Sequence, residues 1–309
     1  MITTIFSKSR PFNYFLIILM LSLCYFTFQH KEINLPFSSY LIIKKVIILL
    51  ILIGSLFLSN FITKKNNLTK NNSFTILFFF SFLILLPNNL ENHYHIIANF
   101  FVLLALRRLI SLQSLITPKE KIFDASLFIF VAALFHFWSI LFIVLVFFSI
   151  ILHISRDYRN WLLPFIAFFT IGIIACLIAT LKDYSLVNFV SENAAISFNF
   201  NYFSNIYQNI GLSIYAAIVV LFLFNMLISL TNKPLNTQNS YKKIVLSFLL
   251  GILIYVMSPN KSNSILIFTF MPMSLMATVY FEDEPIKWKK ETTAILVLGL
   301  CFLMFFLQI

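Results

Sequence analysis

The sequence predicts an all-α, polytopic bundle of transmembrane helices, and three observations predict it. About 60% of the 309 residues are apolar and only 11% are charged, whereas soluble chains run at about 45–50% and about 25%. The apolar residues form long unbroken runs, and a helix crosses a bilayer core with roughly 20 of them. Barrel strands would instead alternate over about ten residues. Lys and Arg collect in alternate connections between the runs, as they do where charge sets membrane orientation. Together these exclude a soluble enzyme, a disordered chain and a secreted disulfide scaffold.

The elements follow in order. Lys8 and Arg10 precede the apolar run 11–29; no small-x-small cleavage site follows, so the run reads as a retained first span and not a signal peptide. The stretch Leu35–Lys45 (LPFSSYLIIKK) is too polar to cross and suits an interfacial helix ahead of the second run, 46–62. Runs 74–88 and 95–116 come next. From Ala125 to Ile154 the chain stays apolar, which is too short for two full spans of about 20 residues each. One long helix there would invert everything after it, so a short helical hairpin turning near His136 is expected, shielded by protein or facing a watery cavity. Run 162–181 is followed by the longest connection, Lys182–Asn209, rich in Asn, Phe and Tyr, a composition suited to the outer membrane face. Runs 210–230, 244–258, 264–280 and 292–308 complete about eleven segments.

The net charge is +11, from 22 basic and 11 acidic residues. In a soluble protein this would raise nucleic acid as a partner; here it is a topology signal. With Lys8 and Arg10 in the cytoplasm, the even connections carry Lys64, Lys65, Lys70, Lys119, Lys121, Arg156, Arg159, Lys233, Lys242, Lys243, Lys287, Lys289 and Lys290, while the outside keeps Lys31, Lys44, Lys45, Lys182 and Lys261. The expected protein is thus a multi-pass membrane protein, N-terminus cytoplasmic and C-terminus out, forming one integral membrane domain over 1–309. Cys24, Cys176 and Cys301 all lie in apolar runs with no pairable spacing, which gives neither a disulfide framework nor a zinc motif. No GxxxxGK[ST], GxGxxG, HExxH or GxSxG occurs, and five glycines cannot build a phosphate loop.

Chemistry can therefore come only from polar residues at span ends or within spans. Glu32, in the first outside connection, reads as a general base or metal ligand, or else as a solvated loop charge. In Glu91-Asn92-His93-Tyr94-His95, helical spacing puts Glu91 and His95 on one face, and extended spacing puts Glu91, His93 and His95 together. Either suits a divalent metal or a phosphate, against a polar interfacial turn. Arg107 lies about 18 Å along the fourth run at 1.5 Å per residue. If the helix continues to Ile116, Arg107 and Arg108 sit at depth, where they would need a cavity or a lipid phosphate; if it ends near Leu106, they are interfacial. His136, at the hairpin turn, is a substrate-contact candidate or a hydrogen-bonded packing residue. Lys261, in the turn Ser258–Asn263, could meet an anionic headgroup or simply cap a polar turn. Phe281–Glu291 (FEDEPIKWKKE) reads as a solvated connection with capacity to dock a partner.

Two resemblances add to this. Phe6-Ser7-Lys8-Ser9-Arg10-Pro11, Ala105–Leu112 (ALRRLISL), Asp157-Tyr158-Arg159-Asn160-Trp161 and Ser258-Pro259-Asn260-Lys261 resemble an uncharacterised family of Bacteroidota multi-pass inner-membrane proteins along the whole chain, which implies no particular activity. The order of parts also resembles polytopic C-type glycosyltransferases that use lipid-linked sugars. The parts concerned are Glu32 with Leu35–Lys45, the hairpin Ala125–Ile154, Arg156 with Arg159, and Leu162–Leu181. That resemblance covers residues 1–209 and leaves 210–309 as additional helices. It implies a polyprenyl-phosphate sugar as donor, with Glu32 and Glu91 catalytic. Arg107, Arg108, His136 and Lys261 would hold lipid phosphate and substrate, and His93 and His95 a divalent metal. The sequence departs from that fold in having a lone Glu32, beside Lys31, where an Asp and often an acidic pair is usual. A degenerate relative, a non-catalytic subunit of an envelope assembly or export complex with membrane protein partners, and a transporter are the competing expectations.

Overall fold

The computed structural model describes residues 2–30, 39–181, 183, 185–198, 206–259 and 261–309. Among the described residues all regular structure is helical. In chain order the helices are α1 (Ile2–Phe6), α2 (Pro11–His30), α3 (Ser39–Lys65), α4 (Phe74–Leu85), α5 (His93–Ile110), α6 (Pro118–Phe135), α7 (Ile143–His153), α8 (Arg159–Leu181), α9 (Leu186–Asn193), α10 (Ile206–Ser229), α11 (Leu235–Met257), α12 (Ile267–Asp283) and α13 (Lys287–Gln308). Tight 3₁₀ turns at Pro87–Leu90, Ser111–Ser114, Phe137–Phe142, Leu230–Asn232 and Asn263–Leu266 link or extend them. Eight helical stretches among the described residues are long and apolar enough to cross a membrane.

Two helices form the centre. All of α4 is buried, as is nearly all of α12, and the two pack against each other. Around them stand α2, α3, α5, α10, α11 and α13, with α6, α7 and α8 layered outside α5 and α11. Lipid is as apolar as Leu, so helices in a bilayer gain little from hiding apolar side chains and depend on fit and on hydrogen bonds. The centre shows both. Phe74, Phe78 and Phe82 recur every fourth residue of α4 and overlap at 6.4 Å between ring centres. Phe78 also meets Phe281 at 4.9 Å and Phe222 at 6.0 Å. Thr75 bonds Thr278 at 3.2 Å, and the Tyr215 hydroxyl bonds Thr269 at 2.6 Å.

At 12 residues, α4 is about 18 Å long, well short of a bilayer core of about 30 Å. The chain after it leaves α-geometry at Leu86 and Pro87, and Pro87 removes one backbone donor. Free carbonyls at such a break are tolerable in a membrane only where protein satisfies them. Gln308 Nε2, at the end of α13, donates to Leu85 O at 3.2 Å. Gln29 Nε2, at the end of α2, donates to Leu90 O at 3.0 Å, and Asn89 Nδ2 donates to Leu86 O at 2.7 Å.

The hairpin has a local cause. α6 stops at Phe135, His136 is extended (φ −142°, ψ 105°), and a 3₁₀ stretch leads into α7. The chain returns to the end it left: Lys119 of α6 pairs with Asp157, just past α7, at 3.3 Å. At that basic end the connections are tied together. Lys233 pairs with Asp283 at 2.8 Å, Glu282 accepts from the Lys70 amide at 2.7 Å and from Asn72, and Glu291 accepts from the Ile2 and Thr3 amides at 2.5 and 3.2 Å. The expected solvated loop Phe281–Glu291 is therefore mostly helix: only 284–286 lie between α12 and α13, and its acids serve internal contacts.

The part of Leu35–Lys45 within the described residues is no separate interfacial helix, because α3 runs unbroken from Ser39 to Lys65. Nothing between Ser39 and Val46 breaks a helix, and the long stems of Lys44 and Lys45 let their ammonium groups reach polar surroundings from an apolar helix.

Asn13 pins the N-terminal segment. Its side chain is buried and donates to Ile5 O at 2.9 Å and Lys8 O at 3.0 Å. We predict that Asn13→Ala costs about 1–2 kcal/mol locally. Amide exchange over residues 2–10 should accelerate, while the central α4 and α12 keep wild-type protection; unchanged exchange in 2–10 would show that Asn13 does not hold the segment.

Candidate functional site

The polar cluster that stands out lies at the end of the bundle opposite the basic residues, where α5 begins. Asn92 caps α5: it is extended, and its Oδ1 accepts from the His95 amide at 3.4 Å, which meets one of the donors a helix start leaves free. That cap sets the phase of the first turn. Tyr94 points outward, 62% exposed, and His95 points in, 8% exposed. His95 Nδ1 is 2.8 Å from Ser264 Oγ, and Ser264 is 2.5 Å from Ser262. Both serines belong to the tight turn that starts α12.

His136 completes the arrangement from the hairpin. Its ring meets His95 edge-to-face at 4.7 Å and 84°, and stacks on Phe268 of α12 at 5.5 Å and 29°. Three elements distant in sequence thus converge: the start of α5, the α6–α7 break and the start of α12. His136 Nε2 is buried and makes no hydrogen bond, nor do the neighbouring Trp138 Nε1 and Ser139 Oγ. Asn99 Nδ2, one turn beyond His95 on α5, and Asn263 Oδ1 are likewise buried and unbonded. Unpaired groups of this kind cost about 1–3 kcal/mol each and call for a specific explanation. As chemistry, the set offers N–H donors (Trp138, Asn99), acceptors (Asn263 Oδ1 and the lone pair of a neutral imidazole) and a two-way hydroxyl (Ser139). An aromatic wall with mixed donors and acceptors suits a hydroxyl-bearing group.

The other expected residues fall into two groups. Lys261 is at the same end, buried, with Nζ donating to the Ser197 carbonyl and lying over the Phe198 ring at 5.8 Å. Glu91 is there too, exposed at the turn before Asn92, and His93 stands beside Tyr94 at 6.0 Å between rings. Glu32 lies outside the described residues. Arg107 and Arg108 are elsewhere: α5 ends at Ile110, so they occupy its last turn at the basic end and are not at mid-span. Arg108 pairs with Asp124 at 2.8 Å, and Arg107 lies over Phe61 at 4.9 Å. About 18 Å of helix separates Arg107 from His95 at 1.5 Å per residue, so the arginines and the histidines do not share one site.

A resident divalent metal does not fit the described residues well. Among them no group of three or more His, Cys, Asp or Glu converges, and structural and catalytic zinc sites use three or four protein ligands. His95 Nδ1 is already engaged by Ser264.

Sequence reasoning singled out His95 and His136 separately and missed Ser264, which bonds His95, and the unbonded Ser139 and Asn99. The serines and asparagines resemble those scattered through the whole chain, and only the packing of α5, α6 and α12 distinguishes them. The charge pattern puts Lys243 in an inside connection; it is instead fully buried in α11, its Nζ donating to Leu109 O at 2.6 Å. Helix carbonyls left free at a C-terminus attract such a cation, but no spacing rule links residues 109 and 243.

No curated protein and no solved structure matches this chain. A family model does, over residues 1–309: with its central α4–α12 pair and its histidine-bearing polar end, the protein belongs to the Family of unknown function (DUF6427).

Proposed function

We propose that the protein is a multi-pass bacterial inner-membrane protein of about eleven segments, N-terminus cytoplasmic, whose outward end binds the head of a polyprenyl-phosphate-linked sugar. The orientation draws on the positive-inside rule, since the cations concentrate at the end that carries Lys8 and Arg10. The binding role draws on one observation above all: buried His95 meeting His136 and Ser264, on elements that also carry buried, unbonded polar atoms at His136 Nε2, Trp138, Ser139 and Asn99. An indole with mixed donors and acceptors is chemistry that recognises sugar hydroxyls. Lys261 at the same end supplies positive charge for a phosphate. A single membrane domain is supported by α12, from the C-terminal third, packing on α4.

A catalytic version would take its base from Glu91 or Glu32. His95 Nδ1 is oriented by a serine hydroxyl and not by a carboxylate, which favours binding over proton transfer. That observation also supports the second reading, a non-catalytic subunit of an envelope assembly or export complex.

The test is native mass spectrometry of the protein extracted gently from its own membrane, wild type beside His136→Phe. The substitution retains a ring for Phe268 and removes Nε2. A co-purifying polyprenyl-phosphate sugar, reduced at least about tenfold in the variant (about 1.4 kcal/mol, one charge-assisted or buried hydrogen bond), is the expected result. A stoichiometric protein partner with only bulk phospholipid on both proteins would overturn the substrate reading in favour of the subunit.

A further inference from the structure

We propose that the basic ends of α3, α5 and α6 form a docking site for the phosphodiester headgroup of an anionic phospholipid, separate from the histidine site and independent of what that site binds. The packing of α3 on α5 and of α5 on α6 gathers Lys65, Arg107, Arg108 and Lys121. Lys121 lies within electrostatic reach of both Arg108 and Lys65. The acids on the same face of α6 are Glu120 and Asp124, and Asp124 is taken by Arg108 at 2.8 Å; Lys119 is taken by Asp157. Cations remain in excess.

Two of them share one ring. Phe61 is 39% exposed and carries Lys65 Nζ at 5.1 Å and Arg107 at 4.9 Å from its centre. A ring attracts each cation, but two like charges brought to one ring repel, and an anion between them removes the conflict. The guanidinium fork matches two phosphate oxygens at once. Lys121 is held in place, its Nζ 2.8 Å from both Ser111 O and Ser114 Oγ, so the floor of the site is built before a headgroup arrives.

The adjoining loop points to a lipid and not to free phosphate. Leu115 (φ 54°) and Thr117 (φ 43°) adopt left-handed backbone, which is unfavourable for side chains of these kinds and for a β-branched Thr especially. The result is that Leu115 and Ile116 project, 58% and 68% exposed, beside the cations. An apolar wedge next to a basic pocket between helices matches acyl chain and headgroup together.

The experiment places purified protein in vesicles of equal phosphatidylcholine and phosphatidylglycerol and reads retained lipid by native mass spectrometry. Wild type should retain phosphatidylglycerol in preference to phosphatidylcholine. Lys65→Gln/Arg107→Gln, which leaves the Arg108–Asp124 pair intact, should lose that preference at least about tenfold. Leu115→Ser/Ile116→Ser should lose it in part while binding inorganic phosphate no differently, and His136→Phe should keep it. Lys65, Leu115 and Ile116 are exposed and Arg107 is half-buried, so monodisperse variants are expected, and the wedge variant provides a second reading if the charge variant does not fold. Equal retention in wild type and the charge variant would overturn the proposal. So would displacement of the lipid by millimolar inorganic phosphate with no effect of the wedge substitutions, which would make the site one for free anions.

Discussion

Gly251→Leu is expected to abolish recovery of folded protein, or to leave a protein with a markedly lower unfolding temperature in detergent. Gly251 of α11 packs tightly against Phe268 and Thr269 of α12. Even a single added Cβ would stand 2.7 Å from Thr269 Cγ2, 3.3 Å from the Phe268 carbonyl carbon and 3.4 Å from its oxygen. The threonine methyl can shift only at the expense of its hydroxyl bonds to Tyr215 and to Leu266 O, each at 2.6 Å, and the backbone cannot shift without moving α12. Pro272 sits four residues after Phe268 in α12 and has no N–H to donate to the Phe268 carbonyl, which lies against Gly251 of α11. Small residues at such crossings let backbones approach. Overpacking here costs about 1–3 kcal/mol even for modest side chains, and Leu exceeds that. Phe268 also carries the His136 ring, so Gly251→Ala, the milder change, should perturb the histidine site before it unfolds the bundle. Gly172→Ala and Gly299→Ala are the controls: no atom beyond the helix's own backbone lies within 4 Å of either added Cβ, and the unfolding temperature should not fall. A stable Gly251→Leu protein would mean that α11 and α12 do not meet at this point.

Phe78→Ala should be the most damaging truncation in α4, costing about 3–5 kcal/mol by the range seen for buried Phe. Phe78 is fully buried and its ring touches Phe74, Phe82, Phe222 and Phe281, so it joins α4 to α10 and α12. In water part of this cost would be lost transfer from solvent. In a bilayer that part is small, because the unpacked helix would face lipid, and the cavity and lost ring contacts dominate. The value should therefore fall toward the lower end of the range. Unfolding in mixed micelles, compared with Phe165→Ala on the exposed face of α8, measures the difference. Equal stability of the two variants would remove α4 from the centre of the fold.

The sequence alone determined the membrane character, the helical class, the positions of the apolar runs and the break near His136, because each rests on composition along the chain. Run 74–88 became a 12-residue helix and a turn, and run 95–116 became α5 with its 3₁₀ extension. Composition does not say which apolar run is central: α4 and α8 are both apolar, yet one is wholly buried and the other mostly exposed, since lipid and protein interior are alike to an apolar side chain. The same held for polar residues. Glu91, His93, His95, Arg107 and Arg108 are close in sequence, and a helix carries the arginines to the far end from the histidines. His95, His136 and Ser264 are far apart in sequence, and only the packing of α5, the hairpin and α12 brings them together. Long-range juxtaposition is set by how whole helices fit, and local spacing carries no record of it.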